Sequence, residues 1–109
     1  MRKRSLGRQT LRVLGALEQD CKYGFDVVQR TGLISPTVYR ALRRLEKLGC
    51  VRSRWEEPDV AVEAGRPRRR YYVVTDEGRS ALRTAQRESI EAFGGLLAPP
   101  GEASESGTP

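Results

Sequence analysis

Hydrophobic positions along this chain change their period once, near residue 50, from the spacing of helices to that of strands. In LRVLGALEQ, after Thr10, the side chains Leu11, Leu14 and Leu17 fall three apart with Val13 beside them, which predicts a first core helix. Residues 20–22 interrupt the pattern. Residues 23–30 then predict a short second helix whose Phe25, Val27 and Val28 reach the core, ended by Thr31 and Gly32. Residues 35–49, SPTVYRALRRLEKLG, predict a third helix with both ends marked. Ser35 reads as its N-cap, Pro36 occupies the first helical position, where a missing N–H costs nothing, and Gly49 supplies a left-handed stop. Val38, Leu42, Leu45 and Leu48 share one side of it and must be buried. Past Gly49, VRSRWEE and RYYVVT alternate with period two and predict two strands rich in β-formers. Thr75 then caps a last long helix, TDEGRSALRTAQRESIEAF, with Asp76 and Glu77 in the first turn, where the helix dipole favours negative charge.

What the third helix leaves outside is cationic. Opposite its apolar stripe lie Arg40, Arg43 and Lys47, flanked by Tyr39 and Arg44 and preceded by the hydroxyls of Ser35 and Thr37. Such a face suits a polyanion, although a merely solvated face has the same composition. The setting decides between them. A short helix, a Gly-containing link and a helix opened by Ser-Pro form a helix-turn-helix, whose second helix enters the major groove with its N-terminal residues toward base edges. Residues 57–69, with Pro58, Gly65 and Pro67, exceed a tight hairpin turn and read as a flexible wing. It ends in GRPRRR, where Arg66, Arg68, Arg69 and Arg70 make the densest positive charge of the chain, placed for phosphates or a minor groove. Trp55 and the two following tyrosines read as packing under the wing rather than as a base-stacking platform.

Charge supports the same direction. Residues 1–56 carry 13 basic and 5 acidic side chains, whereas residues 57–109 carry 7 and 9, within a net charge of +6. That asymmetry points to nucleic acid or an anionic surface. No apolar run reaches the roughly 20 residues of a membrane span, and MRKRS is not followed by a signal-peptide core, so a cytoplasmic location is expected. Cys21 and Cys50 are too few for a disulfide framework or zinc site and read as small apolar residues. The chain has no histidine, so the commonest general base and metal ligand is missing and neither catalysis nor a cofactor or metal is expected.

The expected fold class is mainly α with a two-stranded wing, a winged helix-turn-helix. Residues 1–9 form a basic arm or loosely attached helical start, 10–75 the DNA-binding domain, 76–97 a dimerisation helix and 98–109 a disordered tail. In the last helix Leu82, Ala85, Ser89, Ala92 and Leu96 recur at three and four, with Ile90, Phe93 and Leu97 widening the stripe. That seam fits a partner helix, with packing on its own protomer as the alternative.

Order and residues together resemble the PadR family of winged helix-turn-helix regulators, most specifically in SPTVYRALRRLEKLG and PRRRYYVVTDEG, across about residues 10–83. The likeness is to its short branch, with a single C-terminal helix for dimerisation. It implies a homodimeric repressor at a pseudo-palindromic operator in double-stranded DNA, with contacts from Ser35, Pro36, Thr37 and Tyr39 and from the wing residues Arg66, Arg68 and Arg69. It also implies a small aromatic effector. Arg40 stands where the family commonly has proline. The alternative from another class is a protein-interaction adaptor, in which the same arginines meet an acidic partner.

Overall fold

The third predicted helix sets the arrangement of the rest. In the computed structural model, which describes residues 6–97 and side chains as far as residue 92, this helix, α3, spans Ser35–Lys47. Val38, Leu42 and Leu45 are completely buried, and Leu48 packs at the edge of the same core. They meet α1 (Arg8–Gln19) through Val13, Leu14 and Leu17, and α2 (Gly24–Thr31) through Val27. Each fully buried Leu or Val contributes about 1.5–3 kcal/mol relative to exposure, so this three-helix contact is the main store of stability. Phe25, expected in the core, is instead 59% exposed, because in so short a helix Val27 and Val28 already occupy the inward side. Helix α1 begins at Arg8, taking in two residues assigned to the basic arm, and Leu6 reaches the core edge; Met1 to Ser5 lie outside the described residues.

The ends of α3 differ in how they match the sequence. Its cap is Ile34, not Ser35: the carbonyl of Ile34 accepts from the amides of Thr37 and Val38, both at 3.1 Å, which puts Ser35 and Pro36 inside the first turn. The prolyl nitrogen again falls where no donor is needed. At the other end Gly49 takes φ 79°, with its amide donating to Glu46 and that of Cys50 to Leu45, the paired bonds of a Schellman stop. The chain leaves directly into β1 (Val51–Trp55), which pairs antiparallel with β2 (Arg70–Val74) so that Trp55 faces Arg70 and Val51 faces Val74. The amide of Tyr72 donates to Lys22 at 2.8 Å, and Tyr23 bridges to Tyr71, which fastens the hairpin to the α1–α2 connection.

Residues 57–69 are not simply a flexible loop. Pro58–Ala64 forms a helix, α4, capped by Glu57, carrying Asp59 in its first turn and stopped by Gly65 at φ 68°. The Pro and Gly that suggested irregular chain act here as helix start and stop. Helix α5 spans Asp76–Leu97; Thr75 Oγ1 accepts from the Gly78 amide at 3.0 Å, as a cap should, and donates to the Gly49 carbonyl at 2.7 Å, joining α5 to the end of α3. Leu82, assigned to a dimer seam, is buried in its own protomer's core beside α1, and Arg79 pairs with Asp76 and with Glu18 of α1. Cys21 and Cys50 are free and buried, and burial pushes both thiols up, so they serve as small apolar residues. No helix among the described residues is long and apolar enough to cross a membrane. The tail expected at residues 98–109 lies outside the described residues.

Truncating the central contact tests this packing. Leu42→Ala is expected to lower the unfolding free energy by about 2–5 kcal/mol, seen as a reduced urea midpoint at unchanged slope. A loss below about 1 kcal/mol, the size of a surface substitution, would mean that α3 is not anchored through this side chain.

Candidate nucleic-acid interface

Because Val38, Leu42 and Leu45 point inward, the residues half a turn away point out. Arg40, Arg43, Arg44 and Lys47 are all exposed, and among the described residues none of the four takes part in an ion pair. Ser35 and Pro36 are exposed in the first turn, and Thr37 is half-buried. Tyr39 lies on the flank toward α2, 41% exposed, with its ring against Gly24. A Cβ at position 24 would collide with that ring, so the glycine admits the tyrosine and fixes its direction. The other flank element is Glu46. Its carboxylate accepts from Ser53 Oγ at 2.7 Å and faces the Arg70 guanidinium at 3.5 Å, while Arg70 Nε donates to Ser53 Oγ at 3.0 Å. This polar link sets the hairpin's angle against α3.

The strand pairing sorts the wing side chains onto two faces. Val51, Ser53 and Trp55 of β1 share the α3 side with Arg70, Tyr72 and Val74 of β2. Trp55, expected to be packed away, is half exposed, with the guanidinium carbons of Arg68 and Arg70 at 5.6 and 5.4 Å from its ring centre. Cations over an indole face are attracted to it, so the three side chains form a plate beside the exposed face of α3. Arg70 was among the wing arginines the sequence offered for phosphate, whereas Trp55 was read as packing and not as a contact. The signal that could have found Trp55 is the period-two pattern, which puts it in phase with Ser53 and Val51 on the side of the sheet that meets α3.

The opposite face holds the remaining wing arginines, and it uses them internally. Arg66, expected to meet phosphate, forms a forked pair with Glu56: Nη1 to Oε1 at 2.7 Å and Nη2 to Oε2 at 3.0 Å. The same carboxylate accepts from the Arg69 amide at 3.2 Å and from the Tyr71 hydroxyl at 3.1 Å. The Arg69 side chain lies over the Tyr23 ring, 4.0 Å from its centre, and that ring meets Tyr71 edge-on. Glu56 is the one buried charged residue among those described, and the Arg66 fork with the other donors holds its carboxyl at about 2 against an ordinary 4.5. Thus Arg66 is not an open phosphate ligand and Arg69 is directed onto the protein body. Of the four wing arginines named from the sequence, Arg68 and Arg70 lie on the α3 side.

On α5, Ser89 and Ala92 are exposed, Ala85 is half-buried and Ile90 is 69% exposed, while the side chains of Phe93 and Leu96 lie outside those described. Among the described residues there is no cluster of three potential metal ligands.

Comparison with known proteins agrees with this architecture. The family model described as the transcriptional regulator PadR-like family matches residues 13–84. A PadR family regulator from Clostridium difficile R20291 is 23% identical, covers 85% of this chain and 100% of its own, and superposes with a TM-score of 0.69. A PadR family regulator from Eggerthella lenta is 28% identical with a TM-score of 0.63, covering 82% of this chain and 80% of its own. BpsR of Bordetella bronchiseptica, whose DNA binding is regulated by 6-hydroxynicotinic acid, is 21% identical with a TM-score of 0.65, covering 96% of this chain and 76% of its own. No curated protein matches the chain. With about two thirds of its length matched by the family model and the winged helix-turn-helix on the page, the chain belongs to the PadR-like family of transcriptional regulators.

Proposed function

We propose that this regulator is a homodimeric repressor that reads a pseudo-palindromic operator with α3 and holds it with the wing. The observation that carries the reading is the unpaired cationic face of α3, adjoined by the Arg68–Trp55–Arg70 plate. Arg40, in the N-terminal half of the helix, and Arg43, one turn further on the same face, are assigned to base edges, where a guanidinium can bind guanine through two hydrogen bonds. Ser35, Thr37 and Tyr39 lie at the helix start with hydroxyls suited to phosphate, and Arg44 and Lys47 extend the charge along the backbone. The wing contacts are assigned to Arg68, Trp55 and Arg70. Arg66 and Arg69 are left out because Arg66 is forked onto the buried Glu56 and Arg69 lies over the Tyr23 ring, whereas Arg70, paired with Glu46 at 3.5 Å, keeps 41% of its side chain exposed beside Trp55.

Pairing of protomers is assigned to the half of α5 beyond Leu82, where Ala85, Ser89, Ile90 and Ala92 leave an open seam with small residues. Two such wings and helices about 34 Å apart would meet successive major grooves. The likeness to BpsR makes a small aromatic acid the effector class to try first. An open groove between the end of α1 and the outer hairpin face offers Lys22, Arg52, Arg54 and Tyr71 to such a molecule.

Selection from a randomised duplex pool, followed by titration of variants, tests the reading. The selected site should hold two inverted halves, and binding should weaken about 10³–10⁵-fold between about 50 and 200 mM salt if six to ten phosphates are neutralised. Arg43→Ala should relax base choice at one position of each half by about 1–3 kcal/mol, while Arg68→Ala should weaken all sequences alike and lower the salt slope by about 0.9 per contact. Recovery of no enriched site, or equal loss of specific and random binding in both variants, would contradict it and favour an adaptor that binds protein.

A further inference from the structure

The hairpin loop ends in four arginines within five residues, a run that like-charge repulsion alone would splay. Instead it is gathered from behind by Glu56, which sits at the first position after β1. On one side of the hairpin the Glu56 carboxylate takes the Arg66 fork, the Arg69 amide and the Tyr71 hydroxyl. Its main-chain N–H donates to the Arg69 carbonyl at 2.8 Å, and its main-chain oxygen accepts from Arg68 Nε at 2.9 Å. That last bond holds the Arg68 guanidinium in the orientation that carries it over Trp55. Helix α4 ends so as to feed this arrangement: with Gly65 left-handed, the Arg66 amide donates to Ala61 and the side chain turns back toward Glu56.

We propose that Glu56 is a positioning residue for DNA binding: by closing the wing on its rear face with Arg66, Arg69 and Tyr71, it presents Arg68 and Trp55 to the duplex. Arg66 then serves Glu56 and not phosphate. The inference rests on the DNA-binding reading above and adds a sign that charge alone does not give. Removing an acidic side chain beside a polyanion ordinarily tightens binding. Here it weakens it, because the wing opens.

The test uses the full chain and the selected duplex, with Glu56→Gln, Arg66→Ala, their combination, and Tyr71→Phe, which deletes a single hydroxyl and leaves the fold least disturbed. Glu56→Gln raises the net charge by one yet should weaken binding about tenfold, the equivalent of one charge-assisted contact. Arg66→Ala should weaken it similarly with an unchanged salt slope, the double variant should lose no more than either single one, and Tyr71→Phe should lose less. Trypsin cleavage after Arg68 and Arg69 should be faster in Glu56→Gln than in the wild type, with or without DNA. Acid unfolding gives a second readout independent of DNA. A carboxyl held at about 2 instead of 4.5 contributes stability that is complete above pH 4.5 and lost as pH falls toward 2, so the difference between wild type and Glu56→Gln should shrink across that window.

Equal or tighter DNA binding by folded Glu56→Gln would overturn the proposal, as would a salt slope lowered by about 0.9 per protomer in Arg66→Ala. A stability difference that does not change with pH would do the same. Absence of DNA binding by the wild type would overturn the underlying functional reading itself, and is distinguished by the unmutated control.

Discussion

Burial of one stripe on α3 is the constraint from which the molecule's surface follows. Val38, Leu42 and Leu45 have no exposure at all, so the rotation of the helix about its axis is fixed by the core it helps to build. At 100° per residue, fixing that side fixes the other: Arg40, Arg43 and Lys47 can only face away. The first turn is set equally firmly. Pro36 forbids extension of the hydrogen-bond ladder toward the turn, and Tyr39 is seated on a glycine that no larger residue could replace without moving it. The exposed cationic face is thus a consequence of how the core packs.

The wing solves a different problem. It must carry several arginines close together on a two-stranded ribbon, which has little stability of its own. Division of labour between the two faces of the ribbon meets both needs. On one face an arginine fork, an amide and a phenol neutralise a buried carboxylate and tie the loop down. A buried carboxylate is costly unless satisfied in this way, and the same bonds that satisfy it fix the ribbon's geometry. On the other face the cations rest over an indole and stay accessible. Glu46 and Ser53 complete the connection by holding Arg70, and with it the ribbon, against α3.

The elements with a clear hydrophobic period were legible in the chain. The stripes of α1 and α3, the Gly49 stop, the Thr75 cap and both strands stand in the structure nearly where the pattern put them. Helix α4 was missed because its seven residues are too few to show a period, and its Pro and Gly are equally good loop signals. The wing arginines were legible as charge but not as roles. Nothing in GRPRRR tells which guanidinium meets Glu56, ten residues upstream of Arg66, since that depends on how α4 shortens the loop. Leu82 shows the same limit: its spacing fits a seam between helices equally well when the neighbouring helix is α1 of its own protomer.

The central claim is that DNA docks on the α3 face and on the Trp55 side of the ribbon. Backbone amide and indole N–H shifts of the isotope-labelled full chain, titrated with the selected duplex, test it most directly. The account predicts the largest changes at residues 35–44, at residues 68–70 and at the indole of Trp55, with α4 and the outer-face residues Arg52 and Arg54 little affected. Largest changes on α4 and the outer face, with residues 35–44 unmoved, would contradict it.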